Sequence, residues 1–201
     1  RLQPISPVDY YLKLANWLGC DSHNRAMQLG VTETDEALAS ELWSQLGFSI
    51  AVPTISINSG SANSAARLWP AEQVQELATR LASELGVQVL LHCGPDDREA
   101  NNCIADNVAD PRVASMGIAK QLPIGLSKAV LKRSAAVVST DSGPRHLAIA
   151  FDRPVVSLFG PTTPQWTATY NHPEIIVAEQ PPRGLRDIAV DRVFAAVQQC
   201  I

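Results

Sequence analysis

The sequence predicts an α/β fold, a parallel sheet wound on both faces by helices, and three observations predict it. Short apolar runs rich in β-branched residues recur at 54–57, 87–91, 135–139, 155–159 and 175–178. They are near-continuous rather than alternating, the pattern of strands buried on both faces. Between them, 71–85, 96–107, 124–133 and 144–151 carry apolar residues at helical spacing, and 187–199 does so at the end of the chain. Strands alternating with helices are the mark of βαβ units and a doubly wound sheet. Finally, 201 residues with 46% apolar content are enough for one sizeable core.

Two helices are expected before the first strand, at 8–18 and 32–46. The second opens on Thr32-Glu33-Thr34-Asp35-Glu36, which supplies a capping hydroxyl and first-turn carboxylates. The segment Pro181-Pro182-Arg183-Gly184 reads as a linker to the final helix. No internal repeat or low-complexity tract is visible.

Composition narrows the function classes. Sixteen Lys and Arg against twenty Asp and Glu leave a net charge of −4, which lacks the basic excess a nucleic-acid backbone calls for. No run approaches the ~18 apolar residues of a spanning helix. Cys20, Cys93, Cys103 and Cys200 are far apart in sequence, without a C-x-x-C pair or a His at metal-ligand spacing. Buried, reduced thiols and a cytoplasmic location are the expectation.

In a doubly wound sheet ligands bind beyond the carboxyl ends of the strands, where a loop meets a helix N-terminus. Four loops qualify. Asn58-Ser59-Gly60-Ser61-Ala62-Asn63-Ser64 leads to Arg67 and Trp69-Pro70. Its small residues leave N–H groups accessible, and Arg67 offers a planar fork to a phosphate; a plain exposed loop before a helix is the competing reading. His92-Cys93-Gly94-Pro95-Asp96-Asp97-Arg98-Glu99 turns at Gly-Pro, and its carboxylates either cap the next helix or hold ribose hydroxyls.

The loop Thr140-Asp141-Ser142-Gly143-Pro144-Arg145-His146 carries more. Gly143 permits close approach of a ligand and Pro144 suits the first helical turn. The helix's free N–H groups and dipole favour an anion that the His146 ring can also reach. Asp141 would repel a pyrophosphate, so it is expected to hold the turn through backbone N–H groups or to accept a sugar hydroxyl. A capped helix with a core histidine is the alternative. Phe159-Gly160-Pro161-Thr162-Thr163-Pro164-Gln165-Trp166 either lines the same cleft or is a rigid turn at the sheet edge.

The sequence lacks the G-x-x-x-x-G-K-[ST] and G-x-G-x-x-G loops, the H-E-x-x-H pair and the G-x-S-x-G elbow. The ATPase, dehydrogenase, metallohydrolase and serine-hydrolase readings therefore have no anchor. Together the loops point to a phosphorylated nucleotide.

In order, S-G-S…R-L-W-P, G-P-D-D-R-E, T-D-S-G-P-R-H-L-A-I-A-F and P-V-V-S-L-F-G-P-T-T-P resemble the C-terminal domain of the heptosyltransferases, glycosyltransferase family 9. The match runs from about Thr54 to Trp166 and is densest over 140–164. The resemblance implies a Rossmann-like sheet forming the C-terminal half of a GT-B enzyme. It implies inverting, metal-independent transfer from a nucleotide diphosphate sugar, ADP-heptose, to the lipopolysaccharide core, with no cofactor. Position by position it implies Gly60, Ser61 and Arg67 at the donor phosphates and Asp97 at the ribose. Thr140, Asp141, Ser142, Gly143 and His146 would surround the diphosphate and sugar, with Ser142 standing where Thr is commoner.

The same resemblance implies that residues 1–52 connect two domains and that 53–201 bind the nucleotide sugar. An N-terminal domain not present in this chain would supply the acceptor site and the catalytic base, so this chain alone is expected to be inactive. The intact enzyme would work at the inner face of the inner membrane as a peripheral protein. A GT-B nucleotide-sugar epimerase uses a related Asp-Ser-Gly loop and is the nearest alternative, followed by a nucleotide-binding module without chemistry.

Overall fold

The computed structural model describes residues 5–21, 23–60, 68–160, 164–167, 172–180 and 183–201. Two helices lead, α1 (Pro7–Trp17) and α2 (Glu33–Leu46). They are followed by β1 (Thr54–Asn58), α3 (Ala71–Leu85), β2 (Gln88–Leu91), α4 (Arg98–Val108), β3 (Val113–Ser115) and α5 (Ile124–Arg133). The chain continues through β4 (Ala136–Thr140), α6 (Gly143–Ala150), β5 (Val155–Phe159), β6 (Glu174–Ala178) and α7 (Val190–Gln198).

The six strands form one parallel sheet in the order β3-β2-β1-β4-β5-β6. The chain winds outward from β1 through β2 to β3, then crosses to the other side of β1 and winds outward again. The direction of winding therefore reverses between β1 and β4, and their carboxyl ends diverge there into a crevice.

Alternate strand residues feed two apolar layers, as the pleat requires. Ile55, Ile57, Val89, Leu91, Val138, Val156 and Leu158 pack with α3 and α7. On α3, Val74, Leu77, Ala78, Leu81 and Ala82 form the apolar stripe, at the spacing of one helix face. The opposite sheet face packs Leu90 with Leu42 and Trp43 of α2 and with Leu126, Ala129 and Val130 of α5. It also packs Val137 and Val155 with Ala148 and Ile149 of α6.

The expected helices are present with small shifts, and the capping hydroxyl and first-turn carboxylates expected of α2 form a Thr32–Asp35 capping box. Polar contacts tie it to α5: Lys128 meets Asp35 at 3.1 Å, and Arg133 forks onto Glu36 and Ser40. Helix α1 buries none of its residues and exposes Tyr10, Tyr11, Leu14 and Trp17.

Four differences from the sequence reading stand out. Strand β3 was not anticipated, because three residues are too few to show a period. The helix expected at 96–107 begins as a 3-10 turn, Pro95–Asp97. The last helix starts at Val190, after a second 3-10 turn, Leu185–Asp187. Of the four free cysteines only Cys93 is buried; Cys20 and Cys103 are exposed, against the expectation of buried thiols.

Candidate functional site

The crevice between β1 and β4 opens into a cavity of about 270 Å³. Asn58 and Gly60 enter from the end of β1, and His92, Cys93, Gly94 and Asp97 from the end of β2. Ile124 and Ser127 come from the start of α5, and Ser142, Gly143, Pro144 and Leu147 from the start of α6. A larger hollow of about 470 Å³ lies along the edge strand β3 and α4. The smaller cavity is the candidate because it sits at the reversal and gathers the ends of two central strands and two helices.

Its wall is held by a short hydrogen-bonded relay. The Ser142 hydroxyl donates to Asn58 Oδ1 at 3.0 Å, and Asn58 Nδ2 donates to the His92 carbonyl at 3.4 Å. The His92 N–H donates to the Ile57 carbonyl at 2.8 Å. Ser142 is the N-cap of α6, yet its hydroxyl makes no capping bond. The side chain that would ordinarily satisfy an N–H of the first turn is turned toward β1, so that turn keeps its donors for another acceptor. At Gly143 and Gly94 an added Cβ would meet no atom of the described residues within 4 Å, which leaves both positions open to a ligand. Gly60 has φ 103°, a conformation that side-chain-bearing residues rarely adopt, and it turns the chain at the cavity rim.

His92 is only 4% exposed, and neither ring nitrogen has a hydrogen-bond partner among the described residues. Burial pushes its pKa down to about 4, so the ring is neutral at pH 7. Burial likewise lifts the neighbouring Cys93 thiol to about 11, which keeps it protonated and a poor nucleophile.

The far side of α6 is built differently. Arg145 is fully buried. Its Nε donates to Glu174 Oε1 at 2.6 Å and to Ser157 Oγ at 3.1 Å, and its Nη1 to Asp141 Oδ1 at 3.2 Å and the Thr167 carbonyl at 3.0 Å. Nη2 has no hydrogen-bond partner among the described residues, and the Phe159 ring centre lies 5.0 Å from the guanidinium carbon. His146, beside this cluster, has its pKa lowered by burial and then by the Arg145 charge, against the opposing pull of Asp141 and Glu174.

The structure thus brings Gly60, Asp97, Ser142 and Gly143 together at one cavity. Asp97 stands at the N-cap of α4, where its side chain makes no capping hydrogen bond. Asp141 departs from its expected role of holding the turn through backbone N–H groups, since its carboxylate takes the Arg145 guanidinium. Thr140 ends β4 as a buried residue whose hydroxyl has no partner, and neither it nor His146 is among the residues lining the cavity. Ser61 and Arg67 lie outside the described residues, as do Pro161, Thr162 and Thr163. Trp166 is 45% exposed in a 3-10 turn, Pro164–Trp166, and is not a cavity residue. The sequence reading gave Asn58, His92 and Arg145 no individual roles; the signal for His92 was a histidine placed directly after a buried strand.

A family model described as glycosyltransferase family 9 (heptosyltransferase) matches residues 8–185. The chain is 32% identical over 146 residues to lipopolysaccharide heptosyltransferase 2 of Salmonella typhimurium, covering 72% of this chain and 41% of that protein. A solved Escherichia coli ADP-heptose lipopolysaccharide heptosyltransferase II superposes with a TM-score of 0.72 at 28% identity, over 86% of this chain and 53% of that one. A family 9 glycosyl transferase from Veillonella parvula shares the fold, with a TM-score of 0.84 at 24% identity over 100% of this chain and 61% of that one. The chain therefore spans less than half the length of the Salmonella relative and about half of the E. coli structure.

Proposed function

Because the chain belongs to glycosyltransferase family 9 (heptosyltransferase), we propose that its cavity between β1 and β4 binds a nucleotide diphosphate sugar, ADP-heptose, as donor for inverting transfer to a lipopolysaccharide core acceptor. The observation that carries the reading is the start of α6. Its N-cap hydroxyl is turned away from the helix and Gly143 is open, so N–H donors and the positive end of the helix dipole face the cavity. The donor sugar and base are supported by the name of the E. coli heptosyltransferase that the chain resembles.

In this reading residues 53–201 form the donor-binding unit, and residues 1–52 connect it to an acceptor domain that provides the base. When the acceptor hydroxyl attacks the anomeric carbon, negative charge builds on the departing diphosphate. The α6 N–H groups and Arg67 stabilise that charge, and removal of one such donor costs about 3 kcal/mol in comparable sites. These donors do the work of charge neutralisation without a metal ion or cofactor. The protein works in the cytoplasm, with peripheral attachment to the membrane that carries its acceptor; no helix among the described residues is long and apolar enough to cross a membrane.

Calorimetric titration with ADP, UDP, GDP and dTDP in the presence of EDTA tests the proposal. Selective binding of ADP, lost in Arg67→Ala, is the expected result. Binding of none of the four removes the donor-site reading, and binding only after added magnesium removes its metal independence.

A further inference from the structure

The cavity contains one group that the fold does not explain. Among its described lining residues, His92 alone has buried side-chain polar atoms without a partner, and it has two of them. Native structures seldom leave such atoms unpaired, and where they do the missing partner is often a ligand or water. The ring is not there by accident of a loose loop. Its backbone is tied to β1 through both its N–H, on the Ile57 carbonyl, and its carbonyl, on Asn58 Nδ2, so the residue is fixed at the cavity wall.

The chemistry of the wall says what the ring is suited to meet. Buried and neutral, it presents one N–H donor and one lone pair. A phosphate only accepts, and would face a lone pair at one of the two nitrogens; a hydroxyl both donates and accepts, and satisfies either. The ring shares its strand end with Asp97, whose carboxylate disfavours a phosphate on that side. The N–H groups that favour an anion lie across the cavity, at the start of α6. A nucleoside diphosphate lying between them would put its diphosphate toward Gly143 and its ribose toward β2.

We propose that His92 is a specificity-determining residue of the donor site, hydrogen-bonding a ribose hydroxyl of the nucleotide and selecting ribonucleotides over analogues that lack it. The inference rests on the donor-site reading above and names a residue that reading does not use.

The test is titration of ADP and 2′,3′-dideoxy-ADP into the wild-type chain, His92→Phe and His92→Gln, with melting temperatures recorded for all three. The wild type is expected to prefer ADP by roughly tenfold or more, the worth of about one well-formed hydrogen bond. His92→Phe should weaken ADP by a similar factor and leave the dideoxy analogue unchanged, while His92→Gln, which keeps a donor and an acceptor, restores part of the preference. Unchanged ADP affinity in a folded His92→Phe overturns the assignment and leaves the donor site intact. Equal weakening of both nucleotides overturns it too, because the ring would then be sensing something other than the ribose. If the wild type binds neither, the donor-site reading fails and this inference falls with it. Should His92→Phe not fold, His92→Gln decides alone: it must keep a preference for ADP.

Discussion

The two sides of α6 solve the problem of buried polar groups in opposite ways. Toward β5 and β6, Arg145 is completely buried and its Nε and Nη1 groups are bound to Glu174, Ser157, Asp141 and the Thr167 carbonyl. Toward β1 and β2, His92 is almost as deeply buried and its ring nitrogens have no partner among the described residues. A charge inside a protein survives only with fixed partners, so the first cluster belongs to the architecture: it clamps α6 to the sheet and fixes the Asp141 turn. Arg145 Nη2 and the Thr140 hydroxyl also have no partner among the described residues, but of these groups only the His92 ring belongs to a residue that lines the cavity. The contrast separates structure from function around one short helix, although Asp141 of the first cluster and Ser142 at the cavity are neighbours in one loop.

The largest effect should come from breaking the satisfied cluster. Arg145→Ala strands the Asp141 and Glu174 carboxylates and is expected to cost about 3–5 kcal/mol, read from the urea midpoint. His92→Phe removes an unpaired polar ring and fills its volume, so at pH 7 it should change stability by less than about 1 kcal/mol. Similar costs for the two variants would abolish the distinction.

Acid should expose the cost hidden in the open cluster. The folded-state pKa of His92 is about 4, against 6.5 for the unperturbed ring. Between those values the unfolded chain binds the proton and the folded chain does not. Its contribution is therefore intact above pH 6.5 and is lost progressively as pH falls toward 4, by on the order of 3 kcal/mol in total. His146, also shifted downward, acts in the same direction. Urea midpoints measured from pH 7 to pH 4 should fall less steeply in His92→Phe than in the wild type. Parallel slopes would mean that the ring takes up its proton without hindrance.

The satisfied side and the open side were not equally legible in the sequence. Strands and helices could be read because their patterns run over four or more residues, and β3 escaped because it has three. The loops were legible as places, since a strand end meeting a Gly or Pro turn marks a ligand-facing edge in this architecture. Which side chains face the cavity was not. Asp141 and Arg145 are four residues apart, and only the turn onto α6 shows that they meet each other. Asn58 and Ser142 are 84 residues apart, and their contact depends on β1 and β4 being neighbours. Nor can a sequence distinguish a histidine whose nitrogens are paired from one whose nitrogens are not.

Smaller changes refine the open side. Gly60→Ala forces a side chain into φ 103° and should cost about 1–3 kcal/mol. Ser142→Ala should have the smallest effect, about 1 kcal/mol, because one hydroxyl bond is removed at a half-buried position. Its size alone cannot say where that energy goes, for the hydroxyl also lies 3.2 Å from the Thr140 carbonyl. A double-mutant cycle with Asn58→Ala can. If Ser142 bonds mainly to Asn58, the double variant costs little more than the worse single change, since the same contact is removed twice. Additive costs would place the hydroxyl's bond within its own loop. The relay from α6 to β2 would then be broken at its first step, and Ser142 could no longer be said to hold the cavity wall on which His92 depends.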